Sequence, residues 1–355
     1  MPRRPLQSAL TLALSTTLAL LLAEGAVRWL ALAPPLPLQY SGYVSSPWLT
    51  YGPRPSGRQQ GTADSGEFTY DFRHNRFGLR DTDHEFTKPA GTFRILALGD
   101  SFTYGVGAAF DETWPADLER QLKARAGAHP PVEIIRAGVA RFFPETERLL
   151  LEQLGTRFAP DVIAVGFVPN DVVDTCLGID AVTVDESGFM MTGQARELGR
   201  AGLYLYLHSH LARMALARYS AWRSRDTCRA DLPYEPGSPG HEESWLKVEE
   251  EYSRMAAIAG GIGAQLLIVH IPERGPWTDR SGYPAARLAA WASRHGAGFV
   301  DTLPAMRAYP QPESLHYRRD PHCTPAGYAL IAGEVARYLE THGEARGMVP
   351  WRTVQ

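Results

Sequence analysis

Short apolar runs alternate with amphipathic segments from residue 94 onward. Five of the runs are too short for a helix and predict buried strands, at 94–99, 132–136, 161–167, 265–271 and 298–301. Helical periodicity predicts helices between and after them, at 112–123, 145–158, 243–259, 285–294 and 325–339. Strands that alternate with helices form right-handed βαβ units. The pattern therefore predicts an α/β protein with a parallel sheet covered by helices on both faces.

The amino terminus carries a different pattern. Arg3 and Arg4 precede an apolar run over residues 9–23, and apolar residues continue to about residue 32. This pattern is typical of a membrane-targeting helix with its basic end in the cytoplasm, so we expect the rest of the chain in the periplasm or outside the cell. The small residues at 31 and 33 form a poor cleavage site, because Pro34 follows them. An uncleaved signal anchor over residues 1–33 is therefore favoured over a signal peptide removed on secretion, and a buried core helix is the third alternative.

The chain between the anchor and the first strand is irregular in composition. Residues 34–66 are rich in Gly, Pro, Ser and Tyr and predict a linker. Residues 67–73 alternate between polar and apolar types and predict an antiparallel strand added to the edge of the sheet. This strand opens a predicted globular domain over residues 67–345.

An insertion interrupts the alternation of strands and helices at residues 172–240. It contains a predicted hairpin around residues 185–188 and a predicted helix over 209–222. An insertion at the carboxyl edge of a sheet is well placed to shape a substrate pocket.

Composition and charge narrow the class of protein. The 355 residues are 44% hydrophobic and 21% charged, which is typical of a globular protein, and the net charge of -3 gives no sign of a nucleic-acid partner. The three cysteines lack CxxC spacing and a matching histidine cluster, so no zinc site is expected. In an oxidising compartment Cys176 and Cys228 are the favoured disulfide pair, because Cys323 lies beside a histidine with candidate catalytic chemistry.

Candidate chemistry follows the predicted strands in order. Ser101 comes after the first strand, Gly138 after the second and Asn170 after the third, and Asp320 and His322 lie just before the last helix. A serine nucleophile needs a base, the base needs an orienting acid, and the oxyanion needs amide donors. Because parallel strands end at one edge of the sheet, we expect these groups to meet there.

Three other features of the sequence point less clearly to a function than the motifs above. His316, three residues after Glu313, is the nearest rival base, although it lacks the helix context that follows His322. The Gly105-Val106-Gly107 turn lacks the third glycine of a dinucleotide fingerprint. No G-x-S-x-G sequence is present, which argues against an α/β-hydrolase nucleophile elbow.

Together these motifs resemble those of the SGNH hydrolase (GDSL-like esterase) family. The matching residues are Gly99-Asp100-Ser101-Phe102, Gly138, Asn170-Asp171, and Asp320 with His322, and Asn75-x-x-Gly78-Leu79-Arg80 resembles a lead-in segment of anchored bacterial members. The resemblance implies a three-layer, flavodoxin-like fold with strand order 2-1-3-4-5.

The resemblance also implies roles for these residues. Ser101 would be the nucleophile, His322 the base and Asp320 the acid that orients it. The oxyanion hole would consist of the Ser101 and Gly138 amides and the Asn170 side chain. No metal or organic cofactor is implied.

The sequence departs from the family pattern in several places. The acid lies two residues before His322 rather than three, where Arg319 stands, and Val168 replaces a glycine. Arg136 and Arg141 flank Gly138, where they either recognise an anionic substrate or form ion pairs. With Asp100 they are the candidate substrate-binding residues, although Asp100 is expected mainly to hold its own loop through backbone hydrogen bonds.

We therefore expect a membrane-anchored serine esterase that removes an acyl group from an envelope glycan or lipid. An O-acetyltransferase that acts on an envelope polysaccharide is the first alternative, because the same residues serve transfer and hydrolysis. A non-catalytic carbohydrate-binding or assembly protein of the same fold is the second.

Overall fold

The computed structural model describes residues 3–34, 42–46, 49–124, 130–184, 190–192, 198–223, 228–345 and 348–349. The strands within these ranges are β1 (Tyr43–Ser46), β2 (Thr50–Pro53), β3 (Arg58–Thr62), β4 (Thr69–Arg73), β5 (Phe93–Gly99), β6 (Val132–Gly138), β7 (Val162–Phe167), β8 (Val182–Val184), β9 (Met190–Thr192), β10 (Gln265–His270) and β11 (Gly298–Asp301). The α-helices are α1 (Arg3–Trp29), α2 (Ser101–Tyr104), α3 (Trp114–Ala124), α4 (Pro144–Gln153), α5 (Asn170–Leu177), α6 (Gly199–His208), α7 (His210–Arg223), α8 (His241–Gly261), α9 (Tyr283–His295), α10 (Leu303–Ala308) and α11 (Pro325–His342).

The five strands predicted from apolar runs form one sheet. Its order is β11-β10-β7-β5-β6, and every pair of neighbours is parallel. Numbered along the chain, these five strands have the order 2-1-3-4-5, which confirms the prediction. Every residue of β5 and β7 is buried, because helices cover both faces of the sheet.

Side chains that alternate along β5 enter two separate cores. Leu96 and Leu98 pack on the face covered by α4, α8 and α9, which contribute Leu150, Trp245 and Trp291. Ile95 and Ala97 pack on the opposite face, where α3, α10 and α11 contribute Trp114, Met306 and Ile331. The predicted three-layer architecture is therefore present.

The prediction of an irregular linker over residues 34–66 is wrong for the described residues from 42 onward. Strands β1 and β2 pair antiparallel, and Tyr43 and Tyr51 in them are buried in the core. One residue of β1 and two of β2 are buried, so the apolar signal is too short to stand out among Gly, Pro and Ser. The predicted edge strand is also placed differently, because β4 pairs with β3 in a separate two-stranded sheet.

Helix α1 stands largely outside the folded domain. It contains 27 residues, and its segment Gln7–Trp29 is long and apolar enough to cross a membrane. Most of its leucines are exposed, and Val27 near its end is buried.

The insertion contains more helix than the sequence indicated. Strands β8 and β9 pair antiparallel, which confirms the hairpin, although its turn at 185–188 lies outside the described residues. Helix α7 corresponds to the predicted helix, whereas α6 was missed because the all-apolar run at 203–207 shows no helical period. Cys176 and Cys228 form a disulfide, which confirms the predicted pair.

Candidate active site

Ser101 is the first residue of α2 and follows directly after a tight turn at the end of β5. Gly99 has φ +149°, and a Cβ at this position would lie 2.1 Å from the Thr103 hydroxyl oxygen. Asp100 caps the helix, because its carboxylate accepts a hydrogen bond of 2.8 Å from the Phe102 N–H. The turn places Ser101 at the carboxyl edge of the central sheet, where open α/β sheets bind ligands.

A continuous hydrogen-bonded chain joins the serine to the terminal histidine and acid. The Ser101 Oγ lies 2.8 Å from the His322 Nε2, and the His322 Nδ1 lies 2.6 Å from the Asp320 Oδ1. Because an ionised Asp320 only accepts hydrogen bonds, Nδ1 carries the ring proton and Nε2 accepts from the serine hydroxyl. The arrangement suits removal of the serine proton by His322.

The two-residue spacing of acid and base is accommodated by the backbone. One oxygen of Asp320 accepts both the His322 ring hydrogen bond and a hydrogen bond of 3.0 Å from the His322 backbone N–H. Burial disfavours the charge on Asp320, but the His322 side chain, the His322 N–H and the Arg274 charge outweigh it, so the pKa of Asp320 lies below its ordinary value. Asp320 is therefore ionised at neutral pH.

Gly138 ends β6, and Asn170 begins the helix that follows β7; β6 and β7 are the strands on either side of β5. A Cβ at Gly138 would lie 2.2 Å from the Tyr104 backbone nitrogen, so α2 packs on this glycine with no room for a side chain. Asn170 begins α5, and its side-chain nitrogen donates to Asp174 at 3.3 Å. Its side-chain oxygen is buried, with no hydrogen-bond partner among the described residues.

Asp100 is fully buried, its Oδ2 lies 3.4 Å from the Ser101 Oγ, and it interacts electrostatically with other buried carboxyls. Burial raises the pKa of Asp100 to about 6, against the lowering effect of the Phe102 N–H, the His322 charge and the Asn170 side chain. Burial also raises the pKa values of Glu147 and Asp171 well above their ordinary values, and the neighbouring negative charges add to this rise. Within the described ranges, no group of three His, Cys, Asp or Glu side chains is arranged to hold a metal ion.

The model of the GDSL-like Lipase/Acylhydrolase family matches residues 97–330, which is more than half of the chain. The chain belongs to this family. It is an ester-cleaving hydrolase. No curated protein matches the chain.

Several solved structures are similar to this GDSL-like hydrolase at low identity. A lipase/acylhydrolase from Enterococcus faecalis is 15% identical, with 74% of this chain and 99% of that one covered and a TM-score of 0.43. A variant of an acetylxylan esterase from Geobacillus stearothermophilus is 15% identical, with 69% and 93% covered and a TM-score of 0.42. A protein from Desulfitobacterium hafniense that is assigned to the G-D-S-L family of lipolytic proteins is 12% identical, with 69% and 98% covered and a TM-score of 0.41.

The two candidate arginines occupy different environments in this GDSL-like hydrolase. Arg136 is nearly buried and pairs with Asp81 and Glu119, as the ion-pair alternative predicts. Arg141 adopts φ +67°, lies 3.5 Å from Asp174 and keeps 38% of its side chain exposed. Asp174 also accepts a hydrogen bond from the Asn170 side chain. The positive charge of Arg141 therefore lies close to the candidate site.

The rival base, His316, is buried beside Cys323, whereas His322 is the histidine that contacts Ser101. The His316 Nε2 is 3.5 Å from the Cys323 sulfur, and burial lowers the pKa of the His316 ring to about 4. Val168, which replaces the family glycine, is buried in the core, and its N–H donates to Asp171 at 3.0 Å.

Two supporting residues lie before residue 97, outside the segment that matches the family. Glu67 accepts hydrogen bonds of 2.8–3.1 Å from the backbone N–H groups of Arg318, Arg319 and Asp320. Arg80 is buried, and its guanidinium donates hydrogen bonds to the backbone carbonyls at the end of α2 and just beyond it, which are those of Tyr104, Gly105 and Ala108. The sequence analysis assigned no role in the site to Glu67 and included Arg80 only in the lead-in segment, because their partners are backbone groups far along the chain.

Proposed function

We propose that this GDSL-like hydrolase is a membrane-anchored, extracytoplasmic serine esterase that removes an O-acetyl or longer acyl group from an envelope glycan or lipid. The observation that carries the proposal is the hydrogen-bonded chain from Ser101 through His322 to Asp320. Its geometry matches the requirement that the nucleophile, the base and the orienting acid lie within hydrogen-bond reach of each other.

In the proposed mechanism the Ser101 Oγ attacks the ester carbonyl while the His322 Nε2 takes the hydroxyl proton. The tetrahedral intermediate collapses, and His322 returns the proton to the leaving alcohol. Water then attacks the acyl-serine in the same way and releases the acid. Asp320 holds the imidazole in the tautomer that both steps need.

The backbone N–H groups of Ser101 and Gly138 and the side-chain amide of Asn170 are the proposed oxyanion donors. Asn170 supports this role because it begins α5 beside Asp100, at the same edge of the sheet as Ser101. Arg141 is the proposed contact for an anionic group near the ester, since its side chain is partly exposed beside the Asn170–Asp174 pair.

The extracytoplasmic location is supported by two observations. Helix α1 is apolar over Gln7–Trp29 and follows two arginines, which is typical of an anchor with its amino terminus inside. The Cys176–Cys228 disulfide suits an oxidising compartment.

The test is the loss of activity in Ser101→Ala. Wild type should react with a fluorophosphonate probe and release p-nitrophenol from acetyl or longer esters, and the variant should do neither. Ser314→Ala is the matched control, because the hydroxyl of this exposed serine donates to the nearby Gln311 carbonyl and has no role in the proposed mechanism. A Ser101→Ala protein that retains wild-type labelling and hydrolysis would refute the proposal.

Asn170→Ala extends the same assay to the oxyanion hole. We expect kcat to fall about 10²-fold with little change in KM, because the lost donor acts in the transition state. An unchanged kcat would remove Asn170 from the site. Repeating the assay with an envelope glycan as acceptor separates hydrolysis from transfer, since a transferase yields acylated glycan.

A further inference from the structure

The last two turns of α1 are bound to the joint between α6 and α7. Glu24 accepts hydrogen bonds of 2.8–2.9 Å from the Ser209 hydroxyl and from the next two backbone N–H groups. Arg28 donates to the His208 carbonyl at 2.8 Å. Glu24 therefore caps the start of α7, and Arg28 binds the end of α6. We call these two helices, residues 199–223, the helical arm.

The contact lies at a defined height on α1. The apolar span begins at Gln7, and the 17 residues from there to Glu24 rise about 26 Å at 1.5 Å per residue. The hydrocarbon core of a bilayer is about 30 Å thick. When α1 spans a membrane with its arginines inside, the helical arm therefore meets it at the outer boundary of the hydrocarbon.

Each helix of the arm presents an exposed stripe at helical spacing. Residues 201, 204, 205 and 208 are exposed on α6, and residues 215, 218, 219 and 222 on α7. The large apolar members of these stripes are Tyr204, Leu205, Tyr219 and Trp222, which are 64%, 55%, 52% and 61% exposed. Only four other large hydrophobic side chains beyond residue 32 are exposed in the described part of the chain.

The positive charge of the helical arm favours binding to an anionic lipid surface. Residues 199–223 contain four arginines and neither Asp nor Glu. Of these, Arg213 is buried and lies 3.3 Å from Asp64, whereas Arg218 lies on the exposed stripe of α7. Tyr, Trp and Arg side chains are typical of helices at the headgroup level of a membrane, and a purely cationic segment complements anionic lipids.

We propose that the helical arm lies in the outer interface of the bilayer that α1 spans, with Tyr204, Leu205, Tyr219 and Trp222 among the headgroups and first methylenes of anionic phospholipids. The proposal rests on the anchor role given to α1 above. It adds a second membrane contact, which fixes the orientation of the catalytic domain on the lipid surface.

The test places a fluorophore on the arm of the full chain. Trp222→Cys and, separately, Tyr204→Cys are labelled with an environment-sensitive dye without reductant, since Cys176 and Cys228 are paired and Cys323 is buried. Leu246→Cys on α8 is the matched control, because Leu246 is similarly exposed at 54%. The proteins are reconstituted in phosphatidylethanolamine and phosphatidylglycerol vesicles that contain doxyl lipids.

We expect the lipid quencher to reduce emission at positions 204 and 222 at least about twofold more than at position 246, because an interfacial helix is buried by 5–10 Å. Co-flotation with the vesicles reports the anchor independently. Flotation with equal quenching at all three positions would overturn the interfacial arm alone. Failure to float would overturn the anchor and the arm together, while the esterase assay on a soluble ester still reports the proposed function.

Discussion

At the scale of single residues, His316 and His322 show how environment assigns chemistry. His316 is buried against Cys323, and burial lowers the pKa of its ring, which keeps the imidazole neutral. His322 lies between the Ser101 hydroxyl and the Asp320 carboxylate, which is the arrangement that the proposed mechanism requires of the base. The two residues have the same intrinsic chemistry, so only their contacts favour His322 as the base.

The buried carboxyl of Glu147 should make the domain less stable as the pH rises. Its side chain is buried, neither carboxylate oxygen has a hydrogen-bond partner among the described residues, and burial raises its pKa well above 4.5. The folded state therefore keeps a proton that the unfolded state releases above about pH 4.5, so this residue lowers the free energy of unfolding as the pH rises. Glu147→Gln should lose less stability than wild type between about pH 5 and pH 8 in urea unfolding in detergent solution.

Glu243→Gln is the control for this prediction. Glu243 is exposed beside Lys247, which lowers its pKa, so it is ionised in both states over this pH range. Its variant should follow the wild-type slope. A Glu147→Gln protein with the wild-type slope as well would show that Glu147 is not protonated in the folded state.

At the scale of secondary structure, the loop that carries Asp320 is held from two sides. Glu67 accepts its backbone N–H groups, and Arg274, just beyond β10, donates to the carbonyls of Tyr317 and Arg318. The Phe68 and Tyr317 rings also pack at 4.9 Å. Glu67 and Phe68, which lie outside the family match, thus help to position the acid together with Arg274, which lies inside it.

Glu67→Gln should lower kcat roughly tenfold without a comparable change in KM. A glutamine offers one acceptor oxygen and an NH₂ group that repels the backbone donors, and a charge-assisted hydrogen bond contributes about 1.5–3 kcal/mol. Loss of these hydrogen bonds should shift Asp320 and the His322 ring away from the positions that the transition state needs. Steady-state kinetics on p-nitrophenyl esters measure kcat and KM separately.

Glu85→Gln is the matched change, because Glu85 is an exposed carboxylate paired with Arg76 in the same amino-terminal region. It should retain wild-type kcat. If Glu67→Gln also retains it, the Asp320 loop holds its position without this carboxylate.

Sequence patterns predict those elements whose burial leaves a continuous or periodic signal. Strands β5 and β7 read as uninterrupted apolar runs because helices cover both of their faces. Strands β1 and β2 were not recognised, since one tyrosine in each, Tyr43 or Tyr51, faces the core. The Ser101, Asp320 and His322 motifs were found from local sequence, whereas Glu67 bonds to groups 251 to 253 residues away and leaves no local signal.

At the scale of the whole molecule, helix α1 and the insertion are bound to each other and to the domain that carries the candidate site. Helix α1 binds the joint of α6 and α7, and Arg213 of α7 pairs with Asp64, beyond β3. The Cys176–Cys228 disulfide closes the chain around both insertion helices and fixes the end of α5, which begins at Asn170. A series of hydrogen bonds, an ion pair and the disulfide therefore joins α1 and the insertion to the helix that begins at Asn170.

Removal of this disulfide is expected to destabilise the domain. The bridge spans 52 residues, and closing a loop of that length contributes about 4 kcal/mol by restricting the unfolded chain. Combined Cys176→Ser and Cys228→Ser substitution should lower Tm by roughly 5–10 °C. Dithiothreitol should lower the wild-type Tm to the same value and leave the variant unchanged, because the remaining Cys323 is a buried free thiol. A variant that melts with the wild type would show that α6, α7 and α5 are held by their packing and hydrogen bonds without the bridge.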